Sequence, residues 1–131
     1  MQSVLVISHG SHSKQTIKEV RALTTLLKEK SKRPIVDYAF LEIASPSIPE
    51  GIDACVKKGA DEIVILLNFL NSGRHVDQDI PRIVSQARRK HPKVKIRVTN
   101  PVGQHPRIVE LFRELIESKA RRGKSGSSGK W

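Results

Sequence analysis

Cysteine is nearly absent from this sequence: Cys55 is the only one. A lone thiol excludes an intrachain disulfide and any zinc site built on several cysteines. Ile52 and Val56 flank it at helical spacing, which assigns Cys55 to a core. Aromatic residues are scarce as well, at 4%, too few for the stacking platforms that bind single-stranded nucleic acid. No apolar run approaches the roughly 20 residues that cross a bilayer. The start, Met1-Gln2-Ser3-Val4, lacks the basic segment and small-residue cleavage site of a secretory leader, so a cytoplasmic location is the expectation. Negative charge is the minority sign: 13 Asp and Glu stand against 24 Lys and Arg, a net charge of +11. That imbalance predicts an anionic partner, either a nucleic acid or a small polycarboxylate. The missing basic–aromatic interleaving favours the second.

What is present reads as one domain. The chain has 131 residues, 37% hydrophobic and 28% charged, which suits a globular fold with a single core. Val4-Leu5-Val6-Ile7 is an apolar run of the kind found in strands covered on both faces, and residues 63–67 form another. Ile35 to Ile43 and Lys95 to Val102 read as two further strands, the last more polar and so at an edge. Between and after them lie four helical patterns. Ile17, Val20, Leu23, Leu26 and Leu27 mark residues 14–30. Residues 47–58 follow Ser45-Pro46 and stop at Gly59. Ile80, Ile83, Val84 and Ala87 mark a third helix, with Asp79 as its cap and Pro81 in its first turn. Ile108, Val109, Leu111, Phe112, Leu115 and Ile116 mark the last. The order βαβαβαβα predicts an α/β fold: a four-stranded parallel sheet in flavodoxin-like order 2-1-3-4 with helices on both faces, over residues 1–120. Residues 121–131 are rich in Gly, Ser and basic residues and are expected to form a flexible tail.

In such a sheet, ligands bind beyond the carboxyl ends of the strands, where the winding direction reverses. The first strand runs into Ser8-His9-Gly10-Ser11-His12, the third is followed by Asn71-Ser72-Gly73-Arg74-His75, and the second ends at Leu41-Glu42-Ile43. His9, Glu42 and His75 are thereby predicted to converge on one edge. Two imidazoles and a carboxylate suit first-row divalent metals such as cobalt, nickel and iron, and imidazole also accepts protons near neutral pH. Gly10 and Gly73 are expected to leave room for a flat ligand beside each histidine. Ser11, Ser45 and Ser72 are placed to offer hydroxyls to carboxylates near helix N-termini. His12, His91 and His105 are assigned no chemistry.

Four blocks of the sequence, taken in order, resemble the small class II chelatases of the CbiX and SirB type. They are Val4-Leu5-Val6-Ile7-Ser8-His9-Gly10-Ser11; Phe40-Leu41-Glu42 with Ser45-Pro46-Ser47-Ile48-Pro49; Phe69 to Val76 with Asp79-Ile80-Pro81; and Asn100-Pro101-Val102-Gly103 with Pro106-Arg107-Ile108-Val109. The likeness covers residues 1 to about 118. The sequence departs from the pattern at Ser8, where glycine is frequent, at Leu67, where proline is common, and in the polar Asn68 and Asn71. The resemblance implies insertion of a divalent metal, cobalt in preference to iron or nickel, into sirohydrochlorin for cobalamin, sirohaem or coenzyme F430. The metal is then a substrate and no organic cofactor is expected. It implies that His9 and His75 bind metal and act in catalysis, with Glu42 as the acidic ligand. Ser11, Ser45, Ser72, Gly73 and Arg74 are the expected substrate contacts, Arg74 for a carboxylate arm. Because a tetrapyrrole is wide and longer chelatases use two lobes, a homodimer is expected. The competing readings are a basic nucleic-acid-binding module and a histidine-phosphatase-like enzyme; the latter lacks its arginine, since Ser8 precedes His9.

Overall fold

Four short strands alternate with helices in the computed structural model, which describes residues 1–118. The tail at 121–131 lies outside them. The elements are β1 (Gln2–Ser8), α1 (Lys14–Ser31), β2 (Ile35–Phe40), α2 (Ile48–Lys57), β3 (Glu62–Leu67), a π-helical turn (His75–Asp79), α3 (Ile80–Lys90), β4 (Lys95–Val98), a 3-10 turn (Val102–Gln104) and α4 (Ile108–Glu117). All strand pairs are parallel and the order is β2-β1-β3-β4, with the polar β4 at an edge. Among the described residues no helix is long and apolar enough to cross a membrane.

Successive side chains of a strand point to opposite faces, and the apolar runs therefore feed two cores. Leu5, Ile7, Ala39, Ile63, Ile65, Leu67 and Ile96 face α2 and α3, where Ile48, Ile52, Cys55, Ile80 and Val84 close the larger cluster. Cys55 is fully buried there, and burial raises its thiol pKa. Val4, Val6, Val36 and Val64 face the other way and pack with Leu27 of α1. Truncating a fully buried side chain such as Ile52 or Ile63 to Ala costs about 2–5 kcal/mol in cores of this kind.

The helix starts follow local chemistry. The Ser13 hydroxyl accepts from the Thr16 amide at 3.3 Å, and Ser47 and Glu50 form a reciprocal capping box at the start of α2. Gly59, just past α2, has φ +103°, the left-handed conformation that glycine adopts most cheaply.

Three expectations need correction. β2 ends at Phe40 rather than Ile43, because Ile43 itself has φ +73° and leaves the extended region. β4 ends at Val98 rather than Val102, where the chain turns towards Pro101 and the 3-10 turn. Asp79 makes no capping hydrogen bond, since the helical path already begins at His75. The last helix, α4, lies where the spacing of its apolar residues places it and buries none of them.

Candidate metal centre

The end of β1 is held on both sides. On the β3 side, the Asn68 amide donates to the Ile7 carbonyl at 2.9 Å and its side chain donates to the Ser8 hydroxyl at 3.0 Å. On the β2 side, the Leu41 amide donates to the Ser8 carbonyl at 2.9 Å and the Glu42 amide to the His9 carbonyl at 3.0 Å. Parallel pairing thus continues past the end of β2 and carries Glu42 alongside His9. Gly10 permits this closure. It has φ +118°, and a Cβ there would lie 1.8 Å from the Glu42 carbonyl oxygen. The space beside Gly10 is therefore filled by the chain's own loop, contrary to the expected gap for a ligand; the space beside Gly73 is open.

His9 Nε2 and Glu42 Oε2 are 2.8 Å apart. The His9 and His75 rings approach to 5.0 Å between centroids, inclined at 54°. One ligand atom from each of His9, Glu42 and His75 lies within 4.8 Å of the others. Bonds of about 2.1 Å to a central ion allow ligand separations up to about 4.2 Å. Small side-chain rotations close the set, and the side chains, 50%, 49% and 41% exposed, have room for them. The three residues come from three loops at the carboxyl edge of β2, β1 and β3, the crevice where the sheet order reverses.

Asp79 is the residue that the sequence pattern did not reveal as part of this centre. Its Oδ2 lies 2.7 Å from His75 Nδ1 across the π-helical turn. That hydrogen bond, foremost, holds the Asp79 carboxyl below its ordinary range, with Arg82 assisting. An ionised carboxylate only accepts, so Nδ1 of His75 carries a proton, and in the neutral ring the lone pair is then on Nε2. This is the outer-shell carboxylate common behind metal-binding histidines. The available signal was the four-residue spacing from His75 to Asp79, which a helical turn converts into contact.

The expected substrate contacts are distributed around this centre. The Ser11 hydroxyl accepts from the Ser13 amide at 3.0 Å and so braces the start of α1. Ser45 is exposed on the loop after β2. Ser72, Gly73 and Arg74 are exposed on the loop leading to His75, and Ser72 lines an open cleft of about 310 Å³ with Val76, Ile80 and Pro101. The other histidines stand apart from the cluster. His12 is exposed beyond Gly10, His91 Nε2 lies 2.8 Å from Asp53 and ties α3 to α2, and His105 Nδ1 accepts from the Arg107 amide at 3.1 Å.

Residues 3–119 match the model of a single family, CbiX. The chain belongs to the CbiX family. This CbiX chain is 35% identical to the sirohydrochlorin cobaltochelatase of Sulfolobus acidocaldarius over 119 residues, 89% of the chain and 91% of that protein. It is 34% identical to the sirohydrochlorin ferrochelatase of Priestia megaterium over 116 residues, 88% of the chain but 44% of that protein. It superposes on the sirohydrochlorin chelatase SirB of Bacillus subtilis subspecies spizizenii, solved in complex with cobalt, with a TM-score of 0.80 and 30% identity, covering 88% of the chain and 49% of SirB. The CbiX chain spans about half or less of the longer ferrochelatases it matches. Family membership and a buried Ser8 bonded to Asn68, where the phosphatase pattern has its arginine, stand against the phosphatase-like reading.

Proposed function

We propose that this protein is a sirohydrochlorin chelatase that inserts a divalent metal ion into its tetrapyrrole, cobalt in preference to iron or nickel. The convergence of His9, Glu42 and His75 to within 4.8 Å at the sheet's switch point carries the reading. The relatives that match nearly end to end, from Sulfolobus acidocaldarius and Sulfurisphaera tokodaii, are cobaltochelatases, which supports cobalt.

Replacing two pyrrole N–H protons by an ion of charge two requires groups that release the metal and accept protons in the same place. His9 and Glu42 are such a pair. Their Nε2 and Oε2 atoms lie 2.8 Å apart, within hydrogen-bond distance. For His9 Nε2 to act as a ligand, any proton on it must leave, to Nδ1 of the same ring or to solvent, because the ligating nitrogen and carboxylate are unprotonated. Once the ion passes to the macrocycle, the pair is free to take a proton again. His75 Nε2, its other nitrogen satisfied by Asp79, provides the second acceptor. The exposed Arg74 and Ser72 and the half-buried Ser11 are assigned to the carboxylate arms of the substrate, and Ser45 and Gly73 complete the proposed contact surface. The protein works as a homodimer in this reading, because a four-stranded domain offers a ledge along one side of a wide, flat ring.

Visible absorption of sirohydrochlorin with cobalt(II) tests the proposal. The expected outcome is a shift of the bands at an enzyme-dependent rate, lowered at least about 100-fold by His9→Ala or His75→Ala and less by Glu42→Gln, which keeps one oxygen ligand. Wild-type rates in both histidine variants would exclude this mechanism.

A further inference from the structure

Ile43 holds a backbone conformation that its own side chain makes costly. Its φ is +73°, in the left-handed region that residues branched at Cβ almost never enter. The Ala44 amide donates to the Glu42 carbonyl at 2.8 Å, so Ile43 is the centre of a three-residue turn of the strained, positive-φ kind. The turn has a purpose in the fold. It redirects the chain directly after Glu42, whose amide is bonded to the His9 carbonyl and whose own carbonyl oxygen lies against Gly10. Glycine or asparagine would make the same turn at less cost. Among the described residues one other non-glycine has positive φ: the unbranched Lys32, which caps α1.

The Ile43 side chain contributes nothing to either core. It is 54% exposed and belongs to neither hydrophobic cluster, whereas Leu41, two residues earlier, packs against the larger one. Folding alone therefore gives no reason for an isoleucine at this position, and strain kept without a folding reason gathers at functional sites. The surroundings supply the reason. Ile43 follows Glu42 in the chain, and its Cβ lies 3.5 Å from the point that a Cβ on Gly10, the neighbour of His9, would occupy. It stands on the rim of the metal centre, between the loops that carry His9 and Glu42.

We propose that Ile43 is an apolar contact for the flat face of the tetrapyrrole, held out from the protein on its strained turn for that purpose. This rests on the chelatase reading above and adds a group for the part of the substrate that Arg74, Ser72 and Ser11 leave unmet. Those residues suit carboxylate arms; the conjugated macrocycle itself is a largely apolar plate. To take an ion from His9, Glu42 and His75, the macrocycle has to bring its four nitrogens over that ion, which lays its rings across the neighbouring residues of the same loops. Sites for such ligands are lined mainly by apolar side chains, and the rest of this rim is polar: Glu42, Ser45, Ser72 and Arg74 are all exposed. Branching at Cβ also suits the role. An isoleucine has few χ1 states to lose, so a stiff side chain meets a flat ring with little ordering cost.

Ile43→Asn keeps the turn, because asparagine accepts positive φ, and removes the apolar surface. Ile43→Val keeps a branched apolar surface that is one methylene shorter. The urea midpoint of Ile43→Asn should lie above wild type, since strain is relieved and no core contact is lost. Cobalt(II) affinity, titrated without tetrapyrrole, should stay within about 2-fold of wild type in both variants, because His9 and Glu42 keep their places. The dissociation constant for metal-free sirohydrochlorin, followed by its fluorescence, should rise about 10-fold or more in Ile43→Asn and about 3-fold in Ile43→Val, as loss of apolar contact area requires. Wild-type sirohydrochlorin affinity in Ile43→Asn overturns the contact, as does a valine variant as weak as the asparagine one. A lowered urea midpoint in Ile43→Asn would place the side chain's role in folding, and a parallel loss of cobalt affinity would place it in the loop; either overturns the proposal and leaves the chelatase reading standing. A wild-type chain that binds no sirohydrochlorin overturns both.

Discussion

His75 and Asp79 are bound to each other across a π-helical turn, Nδ1 to Oδ2 at 2.7 Å. The extra residue in such a turn is a common device at functional sites. Here it sets which nitrogen of His75 is free. Asp79→Asn should therefore harm the centre more than the fold. An amide can donate to Nδ1 and stabilise the other tautomer, with the proton on Nε2. Cobalt(II) affinity, read by ligand-field absorption, should fall about 10–100-fold, the range for outer-shell partners of metal-binding histidines, while the urea midpoint stays near wild type. Unchanged cobalt affinity would remove Asp79 from the centre.

Gly10 follows His9 and Gly73 stands two residues before His75, but the two should respond differently to alanine. At Gly10 the new Cβ meets the Glu42 carbonyl at 1.8 Å with φ +118°. Gly10→Ala should cost about 2 kcal/mol or more, because a strained backbone and a clash add, and should weaken metal binding by parting Glu42 from His9. Gly73→Ala meets nothing within 4 Å and should leave stability within about 0.5 kcal/mol of wild type. Chemical denaturation of the two variants, side by side with cobalt titration, checks the contrast.

Asp53 reports on acid stability away from the centre. Hydrogen bonds from Lys90 and then His91 lower its pKa, and they tie α2 to α3. A depressed folded-state value stabilises the fold above the unfolded pKa, about 3.9, and this contribution fades as pH falls through the folded value. The pair is partly exposed, so the effect is small, under about 1 kcal/mol. Asp53→Asn should be less stable than wild type at pH 6 and indistinguishable from it near pH 2. Equal stability of the two proteins at pH 6 would show that the contact contributes nothing.

Arg74 stands exposed immediately before His75. If it meets a carboxylate of the substrate, Arg74→Ala should raise the KM for sirohydrochlorin several-fold with kcat little changed. The difference should shrink at high salt, since exposed charges are screened beyond about 8 Å at physiological ionic strength. A KM equal to wild type in low salt would rule out that contact.

The local pattern of residues determined the strands, three helix starts and the positions of His9 and His75. A buried parallel strand must be apolar on both faces, and a chain leaving such a strand must pass the ligand edge of the sheet. Those facts depend only on neighbours along the chain, and they appear in Val4 to His9 as plainly as in Glu62 to Leu67. Glu42 was legible as a candidate, but its contact with His9, 33 residues away, depends on register: the backbone bonds from Leu41 and Glu42 to Ser8 and His9 bring it there after β2 has ended. Asp79 reads locally as a helix cap and becomes the partner of His75 because the helical path starts four residues earlier. The same holds for α4. Its amphipathic spacing specifies a helix with one apolar side, yet periodicity carries no information about which surface that side meets. The pinned turn at Gly103, set by contact with Leu70, directs the helix away from its own sheet.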